Sequence, residues 1–406
     1  MKNLGKKLEY KSDGKINFWA LLLLATMLLY YLLPSSQLVI KFYIALIIIL
    51  AFIGCYTLFT GDQFAIKILF GASAIAILYY LLAHDDLVES IGRFSNYLSV
   101  CFPTILLSWA LPRCNRKQKW ILLIFVTVIY LFVLGNTYEQ LEVDEEATRL
   151  NETDMEMKSS NAGTYDFAYA TGALIPFFGI WFVKTKNKWM KVLSACLVAG
   201  TFVLLATFQY TLALLGSIVA LLAIPVLKEK RKVYMIFYVL AFVLLIFFME
   251  PLLRNLSEML SSEQMSTRIS ELADSMSGSS EEGHFLSGRL GLYGQAIDAF
   301  LQHPFAGNQS LEFDAHSTIL AIFSRIGIWG GIIYIWMLRK MKKRTEYVLK
   351  IGNDTWLFTP VFIYLLFMAL TNPVHAAFMT NVMIWLVIPI GVSLLEGERK
   401  NAVVEN

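Results

Sequence analysis

Long apolar runs recur along this chain, and they constrain its fold more than any other feature of the sequence. Each run holds about 20 residues, which is the length that an α-helix needs to cross a lipid bilayer. Hydrophobic residues make up 57% of the chain and charged residues 16%, whereas soluble domains are about a quarter charged. Alternating segments of the β-barrel kind are absent from the sequence, so helices are the expected spanning structure. The sequence therefore predicts an all-α, polytopic membrane protein that forms one integral domain over residues 1–406.

Twelve spans are predicted from these runs. They are Ile16–Leu33, Val39–Phe59, Phe64–Leu82, Ile91–Leu111, Trp120–Leu134, Tyr165–Val183, Trp189–Phe208, Tyr210–Leu227, Val233–Met249, Thr318–Met337, Leu357–Leu370 and Val374–Leu395. The first span follows several lysines and precedes no small-residue cleavage site, so we expect a retained span rather than a cleaved signal peptide.

The charges of the connecting loops predict how these spans are oriented. Cytoplasmic loops are enriched in Lys and Arg, and basic clusters follow the fourth, sixth, eighth and tenth spans, on the side of the N-terminus. The opposite loops include Ala83–Ser90, Asn136–Thr164 and Glu250–His316, and the first two are acidic. Both termini are therefore predicted to be cytoplasmic, with the two long loops facing outward. The net charge of +3 is small, and no nucleic-acid partner is expected.

The two long outward loops differ in their pattern. Asn136–Thr164 has no apolar period, which is typical of a solvated flap, and a lid over a substrate groove is the alternative. In Glu250–His316, apolar residues recur at helical spacing and predict short helices on the outer membrane surface. The last helix is expected over Arg289–Leu301, and its apolar face comprises Leu290, Tyr293, Ala296, Ile297 and Phe300.

His316 is the first candidate for chemistry because it lies where the large outward loop enters the tenth span. We expect Asp314 to be the N-cap of that span, with Ala315 and His316 in the first helical turn. A neutral imidazole there can accept a proton or donate a hydrogen bond near pH 7. The alternative is an interfacial histidine that only satisfies backbone groups.

Four arginines could bind an anionic substrate, because guanidinium groups suit bidentate recognition of phosphate. Arg254, Arg268 and Arg289 lie in the large outward loop, and Arg289 is the strongest of them because it follows Ser287-Gly288 among the short helices. Arg325 falls two turns inside the tenth span, where an ionisable residue suggests function. Each of these arginines could instead be a solvated, snorkelling or ion-paired charge.

Other signatures of chemistry are missing from the sequence. It contains no phosphate-binding glycine-rich loop and no His/Cys set with metal-ligand spacing, so we expect neither a cofactor nor a metal. The four cysteines fall in apolar spans or beside a basic loop, which argues against a disulfide framework. Asp166, Asn372 and His375 are predicted to lie near the outer face.

One stretch of the sequence resembles a known family. Its motifs are Ser287-Gly288-Arg289, His303-Pro304-Phe305-Ala306-Gly307, Asp314-Ala315-His316-Ser317 and Gly327-Ile328-Trp329-Gly330. They resemble the signature of the O-antigen ligase and Wzy-type polysaccharide polymerase superfamily, whose members have about twelve spans and a large external loop between the ninth and tenth. The resemblance implies a GT-C-like glycosyltransferase in a bacterial plasma membrane, with its active site on the external face.

The resemblance also implies particular roles and partners. His316 would be the base or orienter of an acceptor hydroxyl, and Arg289 would stabilise the pyrophosphate of an undecaprenyl-pyrophosphate-linked glycan. Arg268, Arg325, Arg254 and Asp314 are further candidates for binding substrate. The partners implied are the lipid-linked glycan, an acceptor glycan and membrane lipid, with a chain-length regulator and a flippase as candidate protein partners.

The chain departs from the family pattern at two places. Ser317 stands where asparagine usually follows the histidine, and Thr207–Thr211 lacks the arginine that many members carry between spans seven and eight. Either Arg268 or Arg325 substitutes for that arginine, or the pyrophosphate is held differently. The preferred function is polymerisation of O-antigen, capsule or exopolysaccharide repeat units. The alternatives are a ligase of the same family and, from another class, a flippase or transporter of lipid-linked glycans.

Overall fold

The computed structural model describes residues 18–36, 42–143, 159–208, 210–229, 254–255, 257–258, 266–267, 270, 285–308, 316–351 and 354–395. Every regular element within these ranges is a helix, and no β-strand occurs among the described residues. The prediction of an all-α chain is therefore confirmed for this part of the protein.

The main helices of these ranges are numbered in chain order. They are α1 (Phe18–Leu32), α2 (Phe42–Thr60), α3 (Gln63–Leu82), α4 (Leu87–Ala110), α5 (Arg116–Val143), α6 (Tyr165–Lys184), α7 (Lys188–Thr207), α8 (Thr211–Glu229), α9 (Phe285–Gln302), α10 (Thr318–Leu349), α11 (Thr359–Thr371) and α12 (Phe378–Leu395). Short 3₁₀ turns at Thr355–Leu357 and Val374–Ala376 precede α11 and α12, and α12 contains a π-helical turn at Met383–Val387.

Eleven of the twelve predicted spans coincide with one of these helices, and the remaining one, Val233–Met249, lies outside the described residues. Seven helices are long and apolar enough to cross a membrane, judged by length and composition: α3, α5, α6, α7, α8, α10 and α12. α1, α2 and α11 are shorter apolar helices. The chain is thus a polytopic membrane protein whose described part is all-helical, while the count of twelve spans stays a prediction.

Two helices run well beyond the predicted spans. α5 continues to Val143, so the prediction that Asn136–Thr164 begins as a loop is wrong over its first residues. α10 continues to Leu349, well past the predicted end at Met337. The α5 extension carries Glu and Gln and the α10 extension carries Lys and Arg, all of which favour helix. An apolar run marks the part of a helix that meets lipid, and a polar helix can continue beyond it.

The end of the acidic outward loop is fixed to the bundle. The side-chain oxygen of Asn161 accepts a hydrogen bond from the amide of Ser35, at 3.0 Å, just after α1. The amide of Gly163 donates to the hydroxyl of Thr137 in α5, at 2.8 Å. This end of the loop is therefore held in place rather than free, and residues 144–158 lie outside the described part of the chain.

α12 lies at the centre of the bundle and packs against α1, α4 and α6. In its 18-residue apolar window 83% of the residues are buried, against 17% in α7, whose surface is available to lipid. The first turn of α12 is held by the buried carboxylate of Asp166 in α6, which accepts hydrogen bonds from the amides of Met379 (2.7 Å) and Thr380 (2.8 Å). This contact positions the start of α12 against α6.

A second polar cluster joins four helices around Arg344, late in α10. Arg344 forms an ion pair with Asp62, the N-cap of α3. It also donates hydrogen bonds to the hydroxyls of Ser108 in α4, at 2.9 Å, and Tyr56 in α2, at 3.1 Å. The end of the bundle away from the start of α10 is thereby fixed by charge as well as by packing.

Candidate functional site

α10 is broken at Gly327. The turn Pro304–Asn308, which follows α9 in the large outward loop, fits into this break. Gly327 has φ 67° and ψ −165°, so the carbonyl of Ser324 and the amide of Ile328 cannot bond to each other as they would in a continuous helix. Instead the amide of Asn308 donates to the Ser324 carbonyl at 2.7 Å, and the Ile328 amide donates to the Pro304 carbonyl at 2.8 Å. The segment Pro304–Asn308 thus replaces one helical hydrogen bond with two, which satisfies backbone groups that would be costly to leave unpaired in a membrane.

Two glycines make this close approach possible. A Cβ atom on Gly307 would lie 2.3 Å from the carbonyl carbon and oxygen of Arg325, and one on Gly327 would lie 2.5 Å from the carbonyl oxygen of Phe305. Both glycines also have positive φ angles, of 71° and 67°. The sequence motifs His303–Gly307 and Gly327–Gly330 are therefore packed against each other, and the backbone of Arg325 is held beside Gly307.

His316 lies just outside α10 rather than in its first turn. Its φ is +46°, a left-handed conformation that is uncommon for a residue with a side chain, and it is exposed. The N-cap of α10 is Ser317, whose hydroxyl accepts a hydrogen bond from the Leu320 amide at 3.2 Å. The prediction of an Asp314 cap with His316 inside the helix is therefore wrong, because Ser317 takes the capping role. Asp314 itself lies outside the described residues.

The start of α10 is bonded to the connection between α11 and α12. The Thr318 amide donates to the Asn372 carbonyl at 3.1 Å, and the Thr318 hydroxyl lies 3.2 Å from Nδ1 of His375. The hydroxyl of Tyr169 in α6 donates to the side-chain oxygen of Asn372 at 2.7 Å. Asn372 and His375 therefore lie at the same end of the bundle as His316, which we call the outer end.

An aromatic stack leads from His375 towards a group of charges. The His375 and Tyr97 ring centroids are 5.7 Å apart, and those of Tyr97 and Tyr79 are 6.5 Å apart, with both pairs close to parallel. The guanidinium carbons of Arg93 and Arg325 lie 4.8 and 5.9 Å from the centroid of the Tyr79 ring. The stack thus connects His375 to two arginines, Arg93 and Arg325, at the outer end of the bundle.

Asp85 is the carboxylate that these two arginines share. Its Oδ2 lies 3.3 Å from Nε of Arg93, and its Oδ1 lies 3.7 Å from an Nη atom of Arg325. The Asp85 side chain is 3% exposed, whereas the side chains of Arg93 and Arg325 are 28% and 26% exposed. Among the sequence-based interpretations of Arg325, ion pairing with an acid is therefore confirmed.

The other predicted site residues are placed only in part. Arg289 lies in α9, which confirms the helix predicted there, but its side chain lies outside the described part. Arg254 has a helical backbone and is partly exposed, and its carbonyl accepts a hydrogen bond from the Ser257 hydroxyl at 2.7 Å. Arg268 lies outside the described residues.

α9, which carries Arg289, is anchored to the outer end. The Tyr293 hydroxyl donates to the Thr371 carbonyl at the end of α11, at 2.8 Å, and the Phe300 ring meets Phe323 of α10 edge to face, with centroids 5.4 Å apart. Ala296 is buried, in agreement with the predicted apolar face of α9. Ile297 is 46% exposed, so the prediction that it belongs to this face is wrong.

Sequence reasoning missed Arg93 and the role of Asp85. Arg93 is in α4, inside a predicted span, and an ionisable residue there is a signal of function that was available. From sequence alone, Asp85 is only one of the acidic residues of an outward loop. Pairing between loop Ala83–Asp86 and α10 joins residues that are far apart in sequence, and nothing local indicates it.

An apolar cleft of about 620 Å³ lies between α5, α6, α7 and α12. Its lining is almost entirely hydrophobic and includes Trp120, Phe177, Trp181 and Leu204. Tyr130 also lines it, and the Tyr130 hydroxyl is 2.8 Å from that of Thr171. A cleft of this size and chemistry can hold a hydrocarbon chain.

The fold and the outer end together define a polytopic helical membrane protein with a polar, arginine- and histidine-bearing site at one end of its bundle. Compared with known proteins, the chain matches no family model and no curated protein sequence.

Proposed function

We propose that this chain is a metal-independent glycosyltransferase of the bacterial plasma membrane that joins undecaprenyl-pyrophosphate-linked repeat units into surface polysaccharide. The observation that carries the proposal is the insertion of the Pro304–Asn308 turn into the break of α10. It joins α9, which carries Arg289, and the Pro-Gly turn to the glycine-rich part of α10, the helix whose N-cap directly follows His316. Three of the four motifs that resemble the polymerase and ligase superfamily therefore lie on elements that this contact joins, which supports the proposal.

The proposed reaction uses groups at the outer end of the bundle. The acceptor hydroxyl attacks the anomeric carbon of the lipid-linked glycan, and the bond from that carbon to the diphosphate oxygen breaks. His316 receives the hydroxyl proton or orients the hydroxyl. Fixed arginines, with Arg289 foremost and Arg325 as a second candidate, stabilise the negative charge on the leaving diphosphate. The apolar cleft is of a kind that suits the polyprenyl chain.

His316→Ala tests the catalytic role. We expect the variant to be inserted normally and to produce no long glycan chains, because the acceptor hydroxyl loses its proton acceptor. The matched control is His303→Ala, since the His303 side chain is exposed and the hydrogen bonds of this residue in the described part are made by its backbone, with Gly307 at 2.8 Å and Ala299 at 3.1 Å. Chains of normal length in the His316 variant, read on a gel of extracted polysaccharide, would refute the role.

Deletion of the whole protein separates the polymerase from the ligase of the same superfamily. Loss of polymer with single repeat units still attached to their final acceptor indicates a polymerase. Loss of every attached unit, with lipid-linked glycan accumulating, indicates a ligase. Retention of lipid-linked glycan on the cytoplasmic face would instead indicate a flippase.

A further inference from the structure

We propose that Arg93 and Arg325 form a binding site for a diphosphate group, and that Asp85 occupies this site as a built-in counter-ion which the ligand displaces. This deepens the proposed function, and the identity of the diphosphate as that of the lipid-linked donor rests on it. The site would supply positive charge in place of the single arginine that Thr207–Thr211 lacks.

The two guanidinium groups have donors to spare. Each carries about five N–H donors, yet Arg93 makes one side-chain hydrogen bond, to Asp85, and Arg325 makes none within the described residues. Asp85 is also the single carboxylate within ion-pair distance of either arginine among the described residues. One negative charge thus faces two positive ones, and the remaining guanidinium donors have no hydrogen-bond partner among the described residues.

A diphosphate matches this arrangement better than a carboxylate does. It presents two phosphoryl groups, each of which can accept a bidentate pair from one guanidinium. Arg93 and Arg325 each face a different oxygen of Asp85, and both lie beside the ring of Tyr79, so a ligand with two linked anionic centres can span them. About a quarter of each arginine side chain is exposed, which leaves access to the ligand.

Asp85 is the partner that can move. Arg93 belongs to α4, and Arg325 belongs to the part of α10 that the Pro304–Asn308 turn fixes. Asp85 lies instead in the short connection between α3 and α4, directly after His84, whose φ of +56° is unfavourable for a residue with a side chain. A shift of this loop would withdraw the carboxylate while both arginines stay in place.

The test measures binding of inorganic pyrophosphate to the purified full-length protein in detergent micelles by calorimetry. Asp85→Asn removes the competing charge, so we expect the affinity to rise roughly five- to tenfold. The matched control is Asp86→Asn, which removes the same charge from the neighbouring residue, keeps an N-cap for α4 and touches neither arginine in the described structure. We expect it to change the affinity by less than about twofold.

Lysine variants keep the test decisive if Asp85→Asn folds poorly. Arg93→Lys and Arg325→Lys preserve the charge facing Asp85 but lose the guanidinium fork, so pyrophosphate affinity should fall roughly tenfold while the melting temperature changes little. The proposal is overturned if pyrophosphate does not bind, or if Asp85→Asn leaves affinity unchanged or lowers it in a folded protein. A purely structural ion pair would give that second result.

A second arm replaces inorganic pyrophosphate by undecaprenyl diphosphate in the same micelles. Tighter binding of the lipid, with the same response to Asp85→Asn, identifies the ligand as a lipid head group. Equal or weaker binding identifies a free diphosphate, and the anion site stands in either case. Failure of the proposed function can be told apart from failure of this proposal. If His316→Ala leaves the polymer unaltered while pyrophosphate binding still responds to Asp85→Asn, the protein has the anion site but is not the proposed transferase.

Discussion

At Gly327 a single residue determines whether α10 can accept the turn. Its φ and ψ of 67° and −165° are accessible essentially only to glycine, and the nearest neighbour of a new Cβ would be a backbone oxygen that cannot move aside alone. The backbone conformation and the missing side chain are therefore both required there.

Gly327→Ala should accordingly destabilise the protein, by about 2 kcal/mol or more. The measurement is the melting temperature of the detergent-solubilised protein by fluorescence-detected gel filtration. Gly135→Ala is the control, because Gly135 lies exposed inside α5 with no atom within 4 Å of the place that an alanine methyl would occupy, and alanine favours helix there by up to ~1 kcal/mol. Similar melting temperatures for the two variants would contradict the account of the break.

Arg289→Lys tests whether Arg289 acts through its fork geometry. If its planar guanidinium holds a phosphate in a bidentate manner, lysine should lower polymer formation at least about tenfold despite the same charge. The rate is measured with purified lipid-linked substrate, and Arg113→Lys, after the end of α4 that lies away from the outer end, serves as the comparison. Full activity in Arg289→Lys would show that Arg289 contributes only its positive charge and not its fork geometry.

At the scale of the elements, the start of α12 is held by a residue from another helix, Asp166 of α6. Asp166 accepts two amide hydrogen bonds from the first turn of α12, as well as one from the Thr380 hydroxyl at 2.6 Å. These donors are buried. Removal of the Asp166 carboxylate would therefore leave them without an acceptor, in a place that water does not reach.

Asp166→Ala should therefore lower stability by about 3 kcal/mol. Asp86→Ala removes a comparable cap from α4, but Asp86 is exposed, and we expect a loss of about 1 kcal/mol. Melting temperatures of the two variants provide the comparison. An equal shift would show that burial of the Asp166 contact contributes little.

The elements also show what local sequence patterns can predict. The apolar runs located eleven helices because hydrophobicity decides which segments enter a membrane. They missed the polar ends of α5 and α10, where helix propensity continues without hydrophobicity. The predicted cap, Asp314, is wrong because Ser317 caps α10; both residue types cap well, and which of them does so depends on the left-handed turn at His316.

For the whole molecule, orientation in the membrane is the central prediction from loop charge. A cysteine at Glu89, exposed at the outer end, should react with a membrane-impermeant maleimide in intact cells, and a cysteine at Lys186, in the connection between α6 and α7, should not. The reverse result would place the candidate site in the cytoplasm and exclude the proposed reaction.

The natural cysteines permit a simple background for this experiment. Cys55 and Cys196 are exposed and need replacement by alanine. Cys114 is buried, and burial raises the pKa of its thiol to about 11, so little reactive thiolate exists at pH 7. Cys101 is buried in α4 and is retained as well.

At this scale the candidate site was only partly predictable. The sequence singles out His316 by its position at the entrance to the tenth span and Arg325 as an ionisable residue two turns inside that span, and both belong to the outer end of the bundle. Arg93 and Asp85 were not identified, because their significance arises from a contact between α4, the Ala83–Asp86 connection and α10 that no pattern within one segment encodes.

The docked turn has a consequence for how this sequence can change over evolutionary time. Pro304 and Asn308 are four positions apart, as are Ser324 and Ile328, because each pair must match the other across the break. An insertion or deletion inside either pair would put both hydrogen bonds out of register, whereas the length of chain between Asn308 and the start of α10 is not set by them. Distant relatives should therefore be recognisable by two rigid four-residue spacings, each with a glycine immediately before its second member, separated by a stretch of variable length.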